Sequence, residues 1–197
     1  MRTTVTIVTF LLVQIQEDFI MIYVLLVDGF EEIEALTPID ILRRAGASVL
    51  TVGVNSKKVT GSHDITVEAD ILMNDVKKDD MECLIVPGGP GYTNIEASED
   101  AISLISYAAE NEILLCAICA APSILGKLGI LDGKRATCFP GYEQYLKGAT
   151  VVADKAVFDS DIITGKGAGA ASEFGFLIAG KIVGTKKAEE IKKAMQY

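Results

Sequence analysis

From residue 21 onward, short apolar segments alternate with amphipathic ones, and this alternation most constrains the fold of the chain. The clearest strand signals are apolar runs at 22–27, 48–52, 83–86 and 113–116. Weaker strands are predicted near residues 65–67, 137, 151, 157 and 162, and helices over 31–45, 98–111, 120–128, 169–184 and 186–195. This order predicts right-handed β-α-β units and an α/β fold in which helices cover both faces of a mainly parallel sheet.

The helix predicted over residues 31–45 begins with acids and ends with arginines, as the helix dipole favours. We expect the first two acids, Glu31 and Glu32, to be solvated. The apolar residues recur every three positions, which places them on one face that should pack on the core. These residues are Ile33, Leu36, Ile39 and Leu42.

The composition narrows the function classes. The 197 residues carry a net charge of −9, and half of them are apolar. These values predict a single α/β domain over residues 21–197 with a large core rather than a disordered chain. The acidic balance argues against nucleic acid as a partner, because phosphate binding needs a basic face.

Residues 1–20 do not follow the alternating pattern. Their apolar stretch, 5–15, is shorter than the about 20 residues that span a bilayer, and no clear cleavage site follows it. Met21 opens a more ordinary first strand. We therefore expect an N-terminal extension from an upstream start site, or a loosely packed appendage, and no membrane partner. A weak signal peptide or anchor is the alternative.

The four cysteines indicate a reduced, cytoplasmic protein, because they are too few for a disulfide scaffold in a chain of this length. Cys116 and Cys119 form a C-x-x-C pair, but along a strand their Cα atoms would be about 10 Å apart. A disulfide needs less than about 7 Å. A zinc site is also disfavoured, since Cys83 and Cys138 supply no second ligand pair. We expect no bound metal.

Cys119 lies at a predicted strand-to-helix turn, where the carboxyl ends of parallel strands form ligand sites. A sharp turn needs small residues two positions before and after the nucleophile, and Ala117 and Ala121 meet that need. Pro122 suits the first turn of the following helix, whose dipole would favour the thiolate. A buried structural cysteine explains the same residues equally well.

Two further elements would complete a reactive site. The backbone N–H groups of Gly89 and Ala120 would together hold an oxyanion, although a Pro-Gly-Gly segment is also typical of an ordinary tight loop. Glu34 is flanked by apolar residues, and a carboxyl turned toward an apolar site would have a raised pKa. Such an acid can donate a hydrogen bond to a thiolate or transfer a proton. The alternative is a solvated acid.

Taken together, these residues resemble the ThiJ/PfpI superfamily, in particular its branch of the parkinsonism-associated protein deglycase. The resemblance covers residues 21–184. The motifs that carry it are Asp28-Gly29-Phe30-Glu31-Glu32-Ile33-Glu34, Pro38-Ile39-Asp40, Arg43-Arg44-Ala45-Gly46, Pro87-Gly88-Gly89, Ala117-Ile118-Cys119-Ala120-Ala121-Pro122, and Gly167-Ala168-Gly169 before Ser172-Glu173-Phe174.

The resemblance implies a flavodoxin-like three-layer sandwich that pairs as a homodimer. It also implies that Cys119 is the reactive thiol, Glu34 its protonated partner, and Gly89 with Ala120 the oxyanion donors. The substrate class that it implies is a small dicarbonyl such as methylglyoxal, or an adduct of one on an amine or thiol.

The chain departs from the superfamily's pattern at two positions. The protease-like branch has a histidine directly after the nucleophile, where this chain has Ala120, so peptidase activity is not expected. Other members have a histidine before a proline, where this chain has Phe139. The one histidine, His63, lies in a predicted turn, and we expect a surface residue there. Proton transfer would then depend on Glu34 and water, with Cys138 as a neighbour.

A glycine-rich segment imitates a dinucleotide-binding motif. Residues 165–170 fit G-x-G-x-x-A after a strand, but only two helices follow, and a dinucleotide fold needs a further strand with an acid about 20 residues on. We therefore expect these glycines to allow close packing of the last helices, and we expect no cofactor.

Two main hypotheses follow. The first is a glyoxalase or deglycase that uses the Cys119 thiolate and Glu34. The second is a redox-sensing or protective protein whose Cys119 oxidises to a sulfinate. A non-catalytic module related to thiamine metabolism is a weaker third.

Overall fold

The computed structural model describes residues 21–197, so the predicted extension at 1–20 lies outside the described residues. The strands are β1 Met21–Leu26, β2 Ser48–Gly53, β3 Lys58–Thr60, β4 Thr66–Glu68, β5 Ile71–Leu72, β6 Met81–Val86, β7 Leu114–Ile118, β8 Arg135–Ala136, β9 Thr150–Val151, β10 Ala156–Asp159 and β11 Ile162–Gly165. The α-helices are α1 Glu32–Arg44, α2 Tyr92–Glu96, α3 Glu99–Glu110, α4 Pro122–Lys127, α5 Ala171–Ile182 and α6 Thr185–Ala194. Short 3-10 turns occur at Met73–Asp75, Lys78–Asp80, Glu143–Tyr145 and Ala168–Ala170.

Seven strands form the central sheet in the order β10-β11-β7-β6-β1-β2-β5. All neighbours in it are parallel except β10 and β11. Helices α1, α5 and α6 pack on one face, and α2, α3 and α4 pack on the other. The predicted α/β three-layer sandwich with a mainly parallel sheet is confirmed.

The parallel strands place four loops at one edge of the sheet. The segments that follow β1, β6, β7 and β11 all leave the carboxyl ends of their strands there, which is where open α/β sheets bind ligands. A fifth segment reaches this edge from outside the sheet: the antiparallel pair β3–β4, whose connecting turn carries His63. Ser62 N–H donates to the Phe30 carbonyl (2.8 Å), which fixes this turn beside the start of α1.

The predicted core face of α1 is only half right. Ile39 and Leu42 are buried, but Ile33 is 53% exposed and Leu36 is 37% exposed. The buried face instead includes Ala35 and Ile41. A helix with 3.6 residues per turn that turns positions 35, 39 and 42 toward the sheet must turn positions 33 and 36 away from it. A strict three-residue spacing falls about 60° short of a full turn at each step, so Ile33 and Leu42 lie on opposite sides of the helix and the four residues cannot share one face.

The helix boundaries near the predicted site also shift. β7 runs to Ile118, two residues beyond the predicted strand end, and α4 begins at Pro122 rather than at residue 120. Residues 119–121 therefore form the turn itself. Likewise, residues 168–170 form a 3-10 turn and α5 begins at Ala171. Among the described residues, no helix is long and apolar enough to cross a membrane.

Helix α5 approaches α1 closely because Gly175 has no side chain. A Cβ at this position would lie 2.8 Å from Ile41 Cδ1 and 3.1 Å from the Pro38 Cα. We expect Gly175→Ala to lower the free energy of unfolding by about 1–3 kcal/mol, because overpacking forces the two helices apart. Urea denaturation measures this change.

Gly180→Ala is the matched control on the same helix. Its nearest neighbour would be the Ala188 Cβ at 4.0 Å, so the added methyl has space. Alanine has the higher helix propensity, and we expect this variant to be neutral or up to about 1 kcal/mol more stable. Equal unfolding midpoints for the two variants would contradict the packing argument.

Candidate active site

Cys119 lies directly after β7 in a left-handed backbone conformation, with φ of +66°. Residues other than glycine rarely adopt this region, and they do so at sites where the surrounding structure fixes the backbone. Two hydrogen bonds fix it here: the Cys119 N–H donates to the Gly165 carbonyl (2.9 Å), and the Phe139 N–H donates to the Cys119 carbonyl (2.8 Å). Ala117 and Ala121 are fully buried, as the sharp turn requires.

Gly88 allows the side chains of Cys119 and Glu34 to meet. A Cβ on Gly88 would lie 2.6 Å from the Cys119 Cβ and 2.7 Å from Glu34 Oε2, so any side chain here would separate the two residues. The Gly88 N–H also donates to Glu34 Oε2 (3.0 Å). Sequence reasoning selected Gly89 and passed over Gly88, although both belong to the same Pro-Gly-Gly motif.

Gly89 and Ala120, the two predicted oxyanion donors, lie on opposite loops beside Cys119. The backbone N–H groups of both residues point at the Cys119 sulfur. Gly89 has φ of +86°, and a Cβ there would lie 2.5 Å from the Glu31 nitrogen, so this loop packs tightly on the start of α1. Two N–H groups that converge on one sulfur stabilise negative charge at that point.

Glu34 is 1% exposed and contacts the Cys119 side chain. Burial raises the pKa of its carboxyl to about 7, although hydrogen bonds from Cys119, the Gly88 N–H and the Ala168 N–H oppose the shift. The carboxyl therefore exchanges its proton near neutral pH. The predicted buried acid is what the structure contains, and the solvated alternative is wrong.

The Cys119 thiol has a raised pKa, contrary to the expectation from the helix dipole. Burial raises this pKa, and the charge and hydrogen bond of Glu34 raise it further, to about 12. The N–H groups of Gly89 and Ala120 lower it, but by less. Helix α4 spans only six residues, and a carboxylate in contact with the sulfur outweighs its dipole.

A pocket of about 570 Å³ opens above the sulfur. Its lining includes Glu31, Glu34, His63, Gly89, Pro90, Cys119, Ala120, Phe139, Tyr142 and Ala168. Cys119 is half-buried, whereas Cys83, Cys116 and Cys138 are buried. All four thiols are free, and Cys116 contacts Cys83 (Sγ–Sγ 3.7 Å) instead of pairing with Cys119. The predicted lack of a C-x-x-C disulfide is confirmed.

His63 is exposed, as predicted, but it also lines this pocket. Its Nδ1 lies 2.9 Å from Glu32 Oε2 and 3.4 Å from Glu31 Oε2, and the hydrogen bond to Glu32 raises the pKa of the imidazole. These three side chains place their nitrogen and oxygen atoms within 4.8 Å of one another, which is close enough to hold a metal ion. Each of them is already engaged in hydrogen bonds within the cluster or with Ser62.

The prediction that Glu32 is solvated is wrong. Its side chain is buried, and it accepts hydrogen bonds from the His63 N–H (2.7 Å) and ring. Burial would raise the pKa of Glu32, but the bonds from the His63 ring and from backbone N–H groups lower it to about 2. Glu32 therefore clamps the β3–β4 turn onto α1, a role that its sequence neighbourhood does not reveal.

The glycine-rich segment at 165–170 belongs to the site. Gly165 packs closely against Ile118 and Phe174 of helix α5, in agreement with the predicted close packing of the last helices. The Ala168 N–H donates a hydrogen bond to Glu34. A Cβ on Gly167 would lie 3.3 Å from Phe139 Cδ2, so the Phe139 ring rests on this backbone. Sequence reasoning missed these contacts because backbone donors have no residue signature.

Known proteins share this architecture. A sequence profile described as the DJ-1/PfpI family matches residues 21–181. The chain is 34% identical over 176 residues to protein dj-1beta of Drosophila melanogaster, and the alignment covers 87% of this chain and 94% of that protein. The crystal structure of Drosophila DJ-1beta superimposes with a TM-score of 0.85 at 33% identity, over 89% of this chain and 97% of that one.

Two more distant relatives are named as enzymes. A glutathione-independent glyoxalase of Caenorhabditis elegans is 30% identical over 167 residues, covering 84% of this chain and 89% of that protein. A deglycase of Pyrococcus abyssi is 29% identical over 130 residues, covering 66% and 78%. Some relatives are longer: the chain spans 40% of the length of DJ-1 homolog B of Arabidopsis thaliana. The matched range contains the sheet, the turn at Cys119 and the buried Glu34, and the chain therefore belongs to the DJ-1/PfpI family.

Proposed function

We propose that this protein is a cysteine-dependent enzyme that converts reactive dicarbonyls, or their adducts on amines and thiols, into hydroxy acids. One observation carries the proposal: the half-buried sulfur of Cys119 lies in a pocket together with the buried carboxyl of Glu34 and two convergent N–H groups. A nucleophile, a proton carrier and an oxyanion site are the groups that this reaction needs. The names of the glyoxalase and deglycase relatives support the same reaction class.

The first step would form the carbon–sulfur bond. The Cys119 thiolate attacks the aldehyde carbon of methylglyoxal, and the aldehyde oxygen takes the negative charge. The N–H groups of Gly89 and Ala120 hydrogen-bond that oxygen, and Glu34 then donates its proton to it. The product is a hemithioacetal, and the carboxyl of Glu34 is left ionised.

The following steps relocate two protons and add one water. The Glu34 carboxylate removes the proton from the former aldehyde carbon and returns it to the neighbouring carbon, while the hydroxyl proton of the hemithioacetal passes through water to the ketone oxygen. The former aldehyde carbon is thereby oxidised to a thioester carbonyl, and the former ketone carbon is reduced to a carbinol. The resulting thioester is hydrolysed by water, which breaks the carbon–sulfur bond. Lactate leaves, and the thiol is restored without any added oxidant or reductant.

The proton shared by the two acids is the central requirement of this proposal. Because the carboxyl and the thiol are in contact, ionisation of one opposes ionisation of the other, and the pair releases its protons in two steps. The pKa of Glu34 near 7 and that of Cys119 near 12 describe those steps. Between them one proton remains, and the two pKa values place it mostly on the Cys119 sulfur. The reactive arrangement forms when this proton passes to Glu34 and the thiolate accepts a hydrogen bond from it.

We further propose that the protein is a cytoplasmic homodimer. Free thiols at all four cysteines suit a reducing compartment. Ile33, Leu36 and Ile65 expose 53%, 37% and 52% of their surface, respectively, and apolar side chains on one side of the molecule are typical of subunit contacts.

Replacement of Cys119 tests the proposed activity. We expect Cys119→Ser to lower lactate formation from methylglyoxal by more than about 100-fold, because removing the nucleophile leaves only the binding and oxyanion contributions. A coupled enzymatic assay for lactate, calibrated with a single lactate enantiomer, measures the rate. Cys138→Ala, which changes a buried cysteine, is the matched control and should retain activity. Equal rates for the wild type and Cys119→Ser would end the proposal.

The pH dependence of thiol reactivity tests the role of Glu34. In the wild type, we expect labelling of Cys119 by iodoacetamide to rise with a midpoint near pH 7, because loss of the first proton from the pair allows the thiolate to form. Glu34→Gln has no proton to share, so this rise should disappear and labelling should begin only in the alkaline range. Mass spectrometry of the labelled peptide provides the rates.

One labelling result would contradict the shared proton. A midpoint near 8.5 in both proteins is the value of an unperturbed cysteine. With a variant that is folded, that result would show that Glu34 does not share a proton with Cys119.

The second candidate function is redox sensing. Cys119 is the one cysteine of the four that is not buried, so oxidants reach it first. After mild peroxide treatment, we expect mass spectrometry to show two added oxygens on Cys119, with two equivalents of peroxide reduced to water, while Cys83, Cys116 and Cys138 stay unmodified. Oxidation spread evenly over the four cysteines would contradict this function. A sulfinate without any lactate formation would favour it over the enzyme.

A further inference from the structure

Two aromatic rings form one side of the pocket above Cys119. Phe139 is 46% exposed and Tyr142 is half-buried, and both line the cavity that contains the sulfur. We call this pair the aromatic wall. A large apolar side chain that is left uncovered inside a concave site offers surface for an apolar ligand, since covering it removes that surface from water.

The aromatic wall is held rigidly beside the nucleophile. The Phe139 N–H donates to the Cys119 carbonyl (2.8 Å), and the Tyr142 N–H donates to the Phe139 carbonyl (3.1 Å). The Phe139 ring rests on the Gly167 backbone and meets the Tyr142 ring edge-on, with centroids 6.4 Å apart. Tyr142 is in turn packed edge-on against Tyr92 at 5.5 Å. The wall therefore keeps a fixed position relative to the sulfur.

The size of the pocket exceeds what a three-carbon substrate needs. Its volume of about 570 Å³ falls within the range of about 300–1,000 Å³ in which proteins bind drug-sized molecules. When an aldehyde carbon is bonded to Cys119 and its oxygen faces the Gly89 and Ala120 N–H groups, the remaining substituent has the aromatic wall as its apolar neighbour.

The charges around the pocket select against anionic ligands. Glu31 lines it, and Glu32, which lies against His63, has a pKa of about 2 and so remains ionised. The His63 imidazole is the one basic side chain among the described lining residues, and it is already paired with Glu31 and Glu32. A carboxylate on the substrate would face these acids without a free cation to balance it.

We propose that the pocket binds neutral α-ketoaldehydes with an aryl substituent, and that the substituent packs on Phe139 and Tyr142. The inference rests on the proposed function, because it names the substrate class of the same site. Phenylglyoxal has this chemistry, with a ketone, an adjacent aldehyde and an uncharged ring. Methylglyoxal would react at the same sulfur without contacting the wall.

The first test compares kcat/KM for phenylglyoxal and methylglyoxal. We expect the wild type to prefer phenylglyoxal, and Phe139→Ala to reduce that preference about 5- to 10-fold, as the loss of an aromatic contact and its buried area would. Phe139→Tyr retains the ring and should retain the preference. Phe158→Ala, which removes a ring covered by Lys181 and outside the pocket lining, is the matched control and should behave like the wild type.

An unchanged preference in Phe139→Ala, or a wild type that prefers methylglyoxal, would overturn the proposal. A loss of rate with both aldehydes to the same extent would also overturn it, because that result assigns Phe139 a structural role instead of contact with the substituent.

The second test does not depend on turnover. Acetophenone has the aryl ketone but no aldehyde, and we expect it to slow iodoacetamide labelling of Cys119 more than acetone does. Phe139→Ala should lose this difference. Benzoylformate, which adds a carboxylate to the aryl ketone, should protect Cys119 less than acetophenone.

These outcomes distinguish a failure of the proposed activity from a failure of the proposed aryl site. If the wild type consumes neither aldehyde, the proposed activity fails, and the protection experiment alone decides whether the aryl site exists. Equal protection by acetophenone and acetone would overturn the aryl site, and equal protection by benzoylformate would overturn the preference for neutral ligands.

Discussion

The contact between the Glu34 carboxyl and the Cys119 sulfur exists because no side chain stands between them. Gly88 occupies that position, and a Cβ there would lie within 2.7 Å of both residues. The same glycine donates its N–H to the carboxyl, so it removes a steric barrier and partly offsets the cost of burying an acid. The contact adds to burial in raising the pKa of the Cys119 thiol, and this contribution depends on the close approach.

The parallel sheet supplies the rest of the arrangement. The segments after β1, β6, β7 and β11 meet at one edge, and they contribute Glu34, Gly88 with Gly89, Cys119 and the Gly167 backbone that supports Phe139, respectively. The left-handed backbone at Cys119 is tolerated because its N–H donates to the Gly165 carbonyl at the end of β11 and its carbonyl accepts from the Phe139 N–H in the segment after β8. A rigid sheet thus places groups that lie far apart in sequence within one pocket.

The alternation of strands and helices was enough to predict the sheet and its covered faces, and the motifs around Cys119 and Glu34 brought the two residues to the same site. Three features were predicted wrongly or missed. The three-residue repeat in α1 drifts around the helix, so Ile33 and Leu36 are exposed while Ile39 and Leu42 reach the core. Glu32 looked like a solvated acid because its partner, His63, lies 31 residues away on a separate hairpin. The backbone donors at Gly88 and Ala168 have no side chain by which a sequence could identify them.

The carboxyls of Glu32 and Glu34 lie in the first turn of one helix, yet hydrogen bonds lower the pKa of Glu32 to about 2 while burial raises that of Glu34 to about 7. Acidification from neutral to mildly acidic conditions would therefore discharge the residue beside the sulfur and leave the hairpin anchor ionised. The mouth of the cavity would keep its shape while its reactive interior changed charge. Of two chemically identical side chains spaced two residues apart, Glu32 thus anchors the hairpin and Glu34 changes its protonation near neutral pH.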